Sequence, residues 1–118
     1  MLKVLLFLFS VQVFANPALE ALTVKVNKDL PEVYDHATKL MRTTVENSNF
    51  KYHFIVGATK LEFAEAYPKV KVQILKTICS HSRERNILKV HRAGILYSYE
   101  SVKGESLGQF LVKPDHCR

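Results

Sequence analysis

The sequence predicts a small α+β domain in which one antiparallel sheet, built from two hairpins, is covered by helices. Two blocks of apolar residues at helical spacing carry this expectation, together with a run that alternates with a period of two. Polar clusters split the strand-like stretches into pairs, which is the signature of hairpins. The order reads helix, hairpin, helices, hairpin.

The first helix is expected from Leu19, Leu22, Val26 and Leu30, spaced by three and four, with Pro17 at its first turn. Pro31 breaks it, and Val33, Tyr34 and Ala37 extend a short helical pattern beyond. Lys39 to Val45, with Leu40, Met41, two threonines and Val45, suits a strand. Glu46-Asn47-Ser48-Asn49 is a polar turn. Phe50, Tyr52, Phe54 and Val56 then alternate with Lys51, His53 and Ile55, as a half-buried strand requires. Gly57 ends that hairpin. Phe63, Tyr67, Val70, Ile74 and Ile78 form the stripe of a second helix, and Pro68 places its start near Tyr67. Ser80 to Asn86 reads as a polar connector. Ile87, Leu88 and His91 suggest a short helix capped by Gly94. Ile95 to Val102 and Leu107 to Val112 form the closing hairpin around Lys103-Gly104-Glu105, and Pro114 stops it.

Residues 1–15 have the form of a secretory signal peptide: Lys3, an apolar run from Val4 to Phe9, and Ala15 before a cleavage point ahead of Asn16. The run falls short of the roughly 20 residues that span a bilayer as a helix. Lys or Arg interrupts every later apolar stretch, so no transmembrane segment is expected in the mature chain. Residues 16–118 are then a single exported domain, periplasmic or secreted. In that compartment Cys79 and Cys117 read as one disulfide. Closing a loop of that length removes unfolded-state entropy worth about 4 kcal/mol. A metal site and free thiols are the alternatives.

The formal charge of +6 suits anionic surfaces or acidic partner proteins in the envelope, and outside the cytoplasm it points away from nucleic acid. Cations concentrate in the second helical block. Arg83, Arg85, Lys89 and Arg92 are the candidate contact residues for a partner, against the reading of a merely solvated face. Reversal of these four charges is expected to abolish partner capture without unfolding the domain. Tyr52, Phe54, Tyr97, Tyr99 and Phe110 lie on strands. They imply cross-strand packing under the helices or, alternatively, a groove for a peptide or another apolar ligand.

Catalytic signatures are sparse. No GxSxG elbow is present, and 4 glycines leave no phosphate-cradling loop. Cys79, His81, His116 and Cys117 offer the ligand types of tetrahedral zinc, or a thiol with a base, but not at a recognised spacing. No cofactor is expected. The competing classes are a small metal- or thiol-dependent enzyme built on those four residues and a purely structural envelope protein.

The second half, with Cys79, the run Arg92-Ala93-Gly94-Ile95-Leu96-Tyr97-Ser98-Tyr99, Gly104, and the run from Phe110 to Cys117, resembles the quorum-sensing-regulated virulence factors. These are a family of small exported proteobacterial proteins. Leu30-Pro31, Asp35, Thr38 and Tyr52 agree in the first half. The resemblance implies an exported α+β domain without an assigned enzymatic activity, and it brings no catalytic residues. The expected function is therefore that of an exported binding protein, virulence-associated, acting on an envelope or host protein.

Expressed with its own leader and purified from the periplasm, the protein should show by native mass spectrometry the mass of Asn16 to Arg118 less two hydrogens. A full-length or metal-bearing mass with reduced cysteines would overturn both expectations.

Overall fold

The computed structural model describes residues 16–117. The expected leader and Arg118 lie outside the described residues. Helix α1 (Pro17–Asn27) is followed by strands β1 (Glu32–Asp35), β2 (Thr38–Glu46) and β3 (Asn49–Val56). Helix α2 (Lys60–Thr77), a 3-10 turn (Ile78–Ser80) and helix α3 (Ser82–Lys89) then lead to β4 (Ile95–Ser101) and β5 (Ser106–Val112). The sheet is five-stranded in the order β1-β2-β3-β4-β5. The α+β architecture is as expected, with Cys79 and Cys117 joined in a disulfide.

The two hairpins form where expected. In the first, Asn47 and Ser48 take φ of 52° and 64°, the left-handed pair that matches strand twist in a two-residue turn. Between the hairpins the sheet departs from the expectation of a purely antiparallel one. β3 pairs with β4 in parallel, from Phe50 opposite Ile95 to Val56 opposite Ser101. Parallel neighbours need a long crossover, and α2, the 3-10 turn and α3 supply it.

Four local expectations are corrected. Val33 and Tyr34 belong to an edge strand, not a helix, because β2 offers open backbone groups to a β-favouring segment. Helix α2 begins seven residues before Tyr67, at Lys60. There the Thr59 hydroxyl accepts the Glu62 N–H, and the Glu62 carboxylate accepts the Thr59 N–H, a capping box stronger than the signal of Pro68. Pro68 sits inside the helix at an exposed position. The polar Ser82–Asn86 stretch is helical, because Ile87 and Leu88 anchor α3 in the core. Gly94 does not cap that helix. Arg92 takes the left-handed φ of 53° after it. Gly94 instead permits close approach: a Cβ there would lie 2.7 Å from Asn49 Oδ1, which accepts the Gly94 N–H at 3.1 Å.

The helices cover one face of the sheet. Phe50, Tyr52, Phe54, Ile95, Tyr97, Tyr99 and Phe110 are buried there. Leu19, Thr23 and Val26 of α1 close the β2 side. Where β1 has ended, the Asn27 side chain takes its place beside β2: Oδ1 accepts the Thr43 N–H at 2.8 Å and Nδ2 donates to the Thr43 carbonyl at 3.1 Å. An edge that would otherwise present unpaired groups is thus satisfied by a side chain.

The opposite face carries Lys51, His53 and Ile55, half-buried. His53 Nε2 lies 2.7 Å from Thr44 Oγ1. Burial, reinforced by the Arg42 and Lys51 cations, pushes the His53 imidazole down to about 4. A depressed histidine is neutral in the native state but charged in the unfolded state below about 6.5. Its contribution to stability is therefore complete above about pH 6.5 and shrinks as pH falls towards 4. His53→Gln should flatten the fall of the urea midpoint between pH 7 and pH 4.5. An identical fall in both proteins would refute this assignment.

Candidate functional site

The N-terminal half of α2 is fastened to the sheet by rings. Phe63 packs on Tyr99 at 5.1 Å between centroids and Tyr67 on Phe110 at 5.9 Å, while the Tyr67 hydroxyl donates to the Gln109 carbonyl at 3.2 Å. Gly108 makes room for this, since a Cβ there would sit 3.3 Å from the Phe63 ring. Beyond Tyr67 the helix packs on the core through partly buried side chains only. Val70 and Ile74, expected as core, are only half-buried. Their face, with Ala66, forms one wall of a groove of about 1260 Å³. Tyr34 of β1 lies across from it, and His81, Arg83 and Glu84 close one end.

The floor is aromatic. Phe54 stacks on Tyr97 at 6.0 Å and on Tyr99 at 5.0 Å, and Tyr97 on Phe110 at 5.0 Å. Offset stacking of this kind holds rings rigid and adds to area burial. Tyr97 and Tyr99 are each 4% exposed, and their hydroxyls, without a partner among the described residues, are not sealed in the core. Both line the groove. Burial holds both phenols above their usual range, so they stay protonated and can donate as well as accept. The Tyr34 phenol is pushed up to about 12, again mainly by burial. The aromatic residues pack across strands, as the first reading expects, and Phe54, Tyr97 and Tyr99 also line the groove.

Arg83 holds the end of the groove in place. Its Nε donates to the Tyr52 hydroxyl at 3.0 Å, its Nη2 to the Tyr34 hydroxyl at 3.4 Å, and the guanidinium lies 5.4 Å from the Tyr52 ring centre. Glu84 at 3.3 Å and Glu32 at 3.9 Å neutralise it. Tyr52 is fully buried, so without Arg83 its hydroxyl would lack this partner.

Three of the four candidate contact residues come together. Arg83, Arg85 and Lys89 line a second cleft, of about 830 Å³, between α1 and α3, with Lys25, Leu22 and Val26. Arg92 is exposed in the α3–β4 connection and lines neither cavity. Arg83 is part of the interior as well, so reversal of its charge carries a cost in stability that the sequence did not disclose. The Cys/His set is dispersed in role. Both sulfurs are in the disulfide, His116 Nε2 lies 2.8 Å from the Leu75 carbonyl, and His81 faces the groove. Among the described residues no three His, Cys, Asp or Glu side chains are grouped to hold a metal. Sequence reasoning missed Tyr34 and Ala66 as groove residues. A half-exposed aromatic in a short edge strand and an alanine on the inner side of a long helix were the available signals.

No family profile matches the chain, and no curated protein matches it significantly. Solved structures do share its fold. A candidate secreted protein of Pseudomonas aeruginosa matches with a TM-score of 0.74 at 20% identity, over 86% of this chain and 91% of that one. The Vibrio vulnificus type 2 secretion pilotin EpsS matches with 0.62 at 16% identity, over 86% and 89%. The Vibrio cholerae type II secretion pilotin AspS matches with 0.64 at 17% identity, over 86% and 94%. At these identities the common property is the fold.

Replacing Arg83 by Met should lower the unfolding free energy by about 1–3 kcal/mol, the cost of depriving a buried hydroxyl of its partner. Arg85→Met, at an exposed position, should stay within about 0.5 kcal/mol of the parent. Equal urea midpoints for the two variants would contradict the role given to Arg83.

Proposed function

We propose that this protein is an exported binding protein whose groove takes an apolar segment of an envelope protein, and that it acts without catalysis. The observation that carries this is the incomplete burial of the second half of α2 beside an open groove. Val70 and Ile74, half-buried at the edge of the core, line a groove with an aromatic floor, and the Tyr97 and Tyr99 hydroxyls in that floor open to the groove without a partner among the described residues. A self-contained core would close that space, because interiors pack densely. A bound chain fills that volume and offers the two hydroxyls hydrogen bonds in place of water.

The fold likeness to type II secretion pilotins and to a candidate secreted protein supports a place in the envelope or outside the cell. The leader-like residues 1–15 support the same place. Among the described residues no helix is long and apolar enough to cross a membrane. An association with virulence follows only from the resemblance to the quorum-sensing-regulated family. A thiol mechanism is disfavoured because the disulfide occupies both sulfurs.

Photo-crosslinking in the native cell tests the groove. Benzoylphenylalanine at Ala66, on the groove wall, should trap a discrete envelope protein, whereas the same group at exposed Val102 in the β4–β5 turn should not. Val70→Glu should abolish the Ala66 adduct while leaving thermal unfolding within a few degrees. An Ala66 site that traps nothing, or traps equally in the Val70→Glu background, would sink the proposal.

A further inference from the structure

The groove and the cleft are neighbours separated by a thin wall. Glu32, Ser82 and Arg83 line both cavities. The partition is thus the Arg83–Glu32 pair, at 3.9 Å, with the Ser82 backbone position beside it. The two compartments differ in chemistry. The groove has an apolar floor and wall in Phe54, Tyr97, Tyr99, Val70 and Ile74, with Asp35, Glu62 and Lys69 also in its lining. The cleft has an apolar base, with Leu22 and Val90 in its lining, and a cationic rim. Lys25, Arg85 and Lys89 on that rim pair with no carboxylate among the described residues, and all three are exposed. Arg83, by contrast, already has Glu84 and Glu32. Asp29 is the remaining carboxylate in the lining, so cations are in excess.

We infer that the segment bound in the groove continues past Arg83 into the α1–α3 cleft, and that its continuation is acidic. This rests on the groove reading and deepens it. Charge complementarity identifies the occupant: unpaired cations on opposite sides of a narrow apolar base fit carboxylates flanking small apolar side chains. Concavity identifies it as a chain and not an anionic bilayer, since a flat lipid surface cannot enter a cleft between two helices. Tyr97 and Tyr99 anchor the apolar part, and Lys25, Arg85 and Lys89 set its direction. Reversed, the same segment would place its carboxylates in the groove, where Glu32, Asp35, Glu62 and Glu84 outnumber Lys69 and Arg83.

Selection of random 16-residue peptides displayed on phage tests this. Against the parent protein, enriched sequences should carry an apolar block adjoining a block of Asp and Glu. Against the folded triple variant Lys25→Gln, Arg85→Gln, Lys89→Gln, the apolar block should persist and the acidic block should vanish. A selected peptide should also lose about tenfold in affinity when its carboxylates are changed to amides, with the loss shrinking at high salt. Apolar peptides without an acidic bias, still blocked by Val70→Glu, would overturn the inference and leave the groove reading standing. Binders indifferent to Val70→Glu, or no enrichment at all, would overturn both. Acid-bearing binders unaffected by the triple variant would overturn the cleft as their site.

Discussion

The parallel pairing of β3 with β4 is the constraint on which the rest of this molecule depends. Two antiparallel hairpins could have met edge to edge through a short link. Joined in parallel, they oblige the chain to leave the top of β3, travel the length of the sheet and re-enter at the foot of β4. The 18-residue helix α2 covers that distance. It is fixed at its start by the capping box at Thr59 and by Phe63 and Tyr67 on the β4–β5 rings. Its second half is only partly buried, while α1 packs on β2 and α3 against β4. The groove is the space this topology leaves.

Arg83 explains why that space has a defined end. A guanidinium beside a buried tyrosine ring would be expensive alone, but two hydroxyls, two carboxylates and a ring face surround it. The cluster ties α3 to β1 and β3, three elements distant in sequence. It is also the wall between two cavities of unlike chemistry. One side chain therefore stabilises the fold and divides the surface, which is why a charge count along the helix could not reveal its role.

The legible parts of the fold were those set by local pattern. The alternation from Phe50 to Val56 and the stripe through Phe63, Tyr67, Val70 and Ile74 both mapped onto real elements, and the cysteines met as expected. The parallel junction was not legible, since a strand's alternation is the same whichever way its neighbour runs. Tyr34 was misassigned because a four-residue edge strand owes its state to β2 and not to its own spacing. Pro68 misled because a helix that presents the residue to solvent tolerates it, leaving one carbonyl to water. Of the residues lining the two cavities, the sequence had singled out Phe54, Tyr97, Tyr99, Arg83, Arg85 and Lys89. It could not supply the distance between α2 and the sheet, which is a tertiary quantity.

An open groove leaves apolar surface in water that a closed core would remove, so the compactness must be maintained elsewhere. The disulfide lies at the right place. Cys79 ends the helical wall of the groove, and Cys117 follows the last strand, with the 3-10 turn Pro114–His116 packed on α3. The loop it closes contains α3, β4 and β5, so the far end of α2 is bound covalently to the sheet's last strand. With Phe63 and Tyr67 holding the near end, the helix is pinned at both extremities. A wall fixed in this way is held in place without an occupant, and a segment bound there, as proposed, would meet a preformed surface whose ordering cost was met on folding.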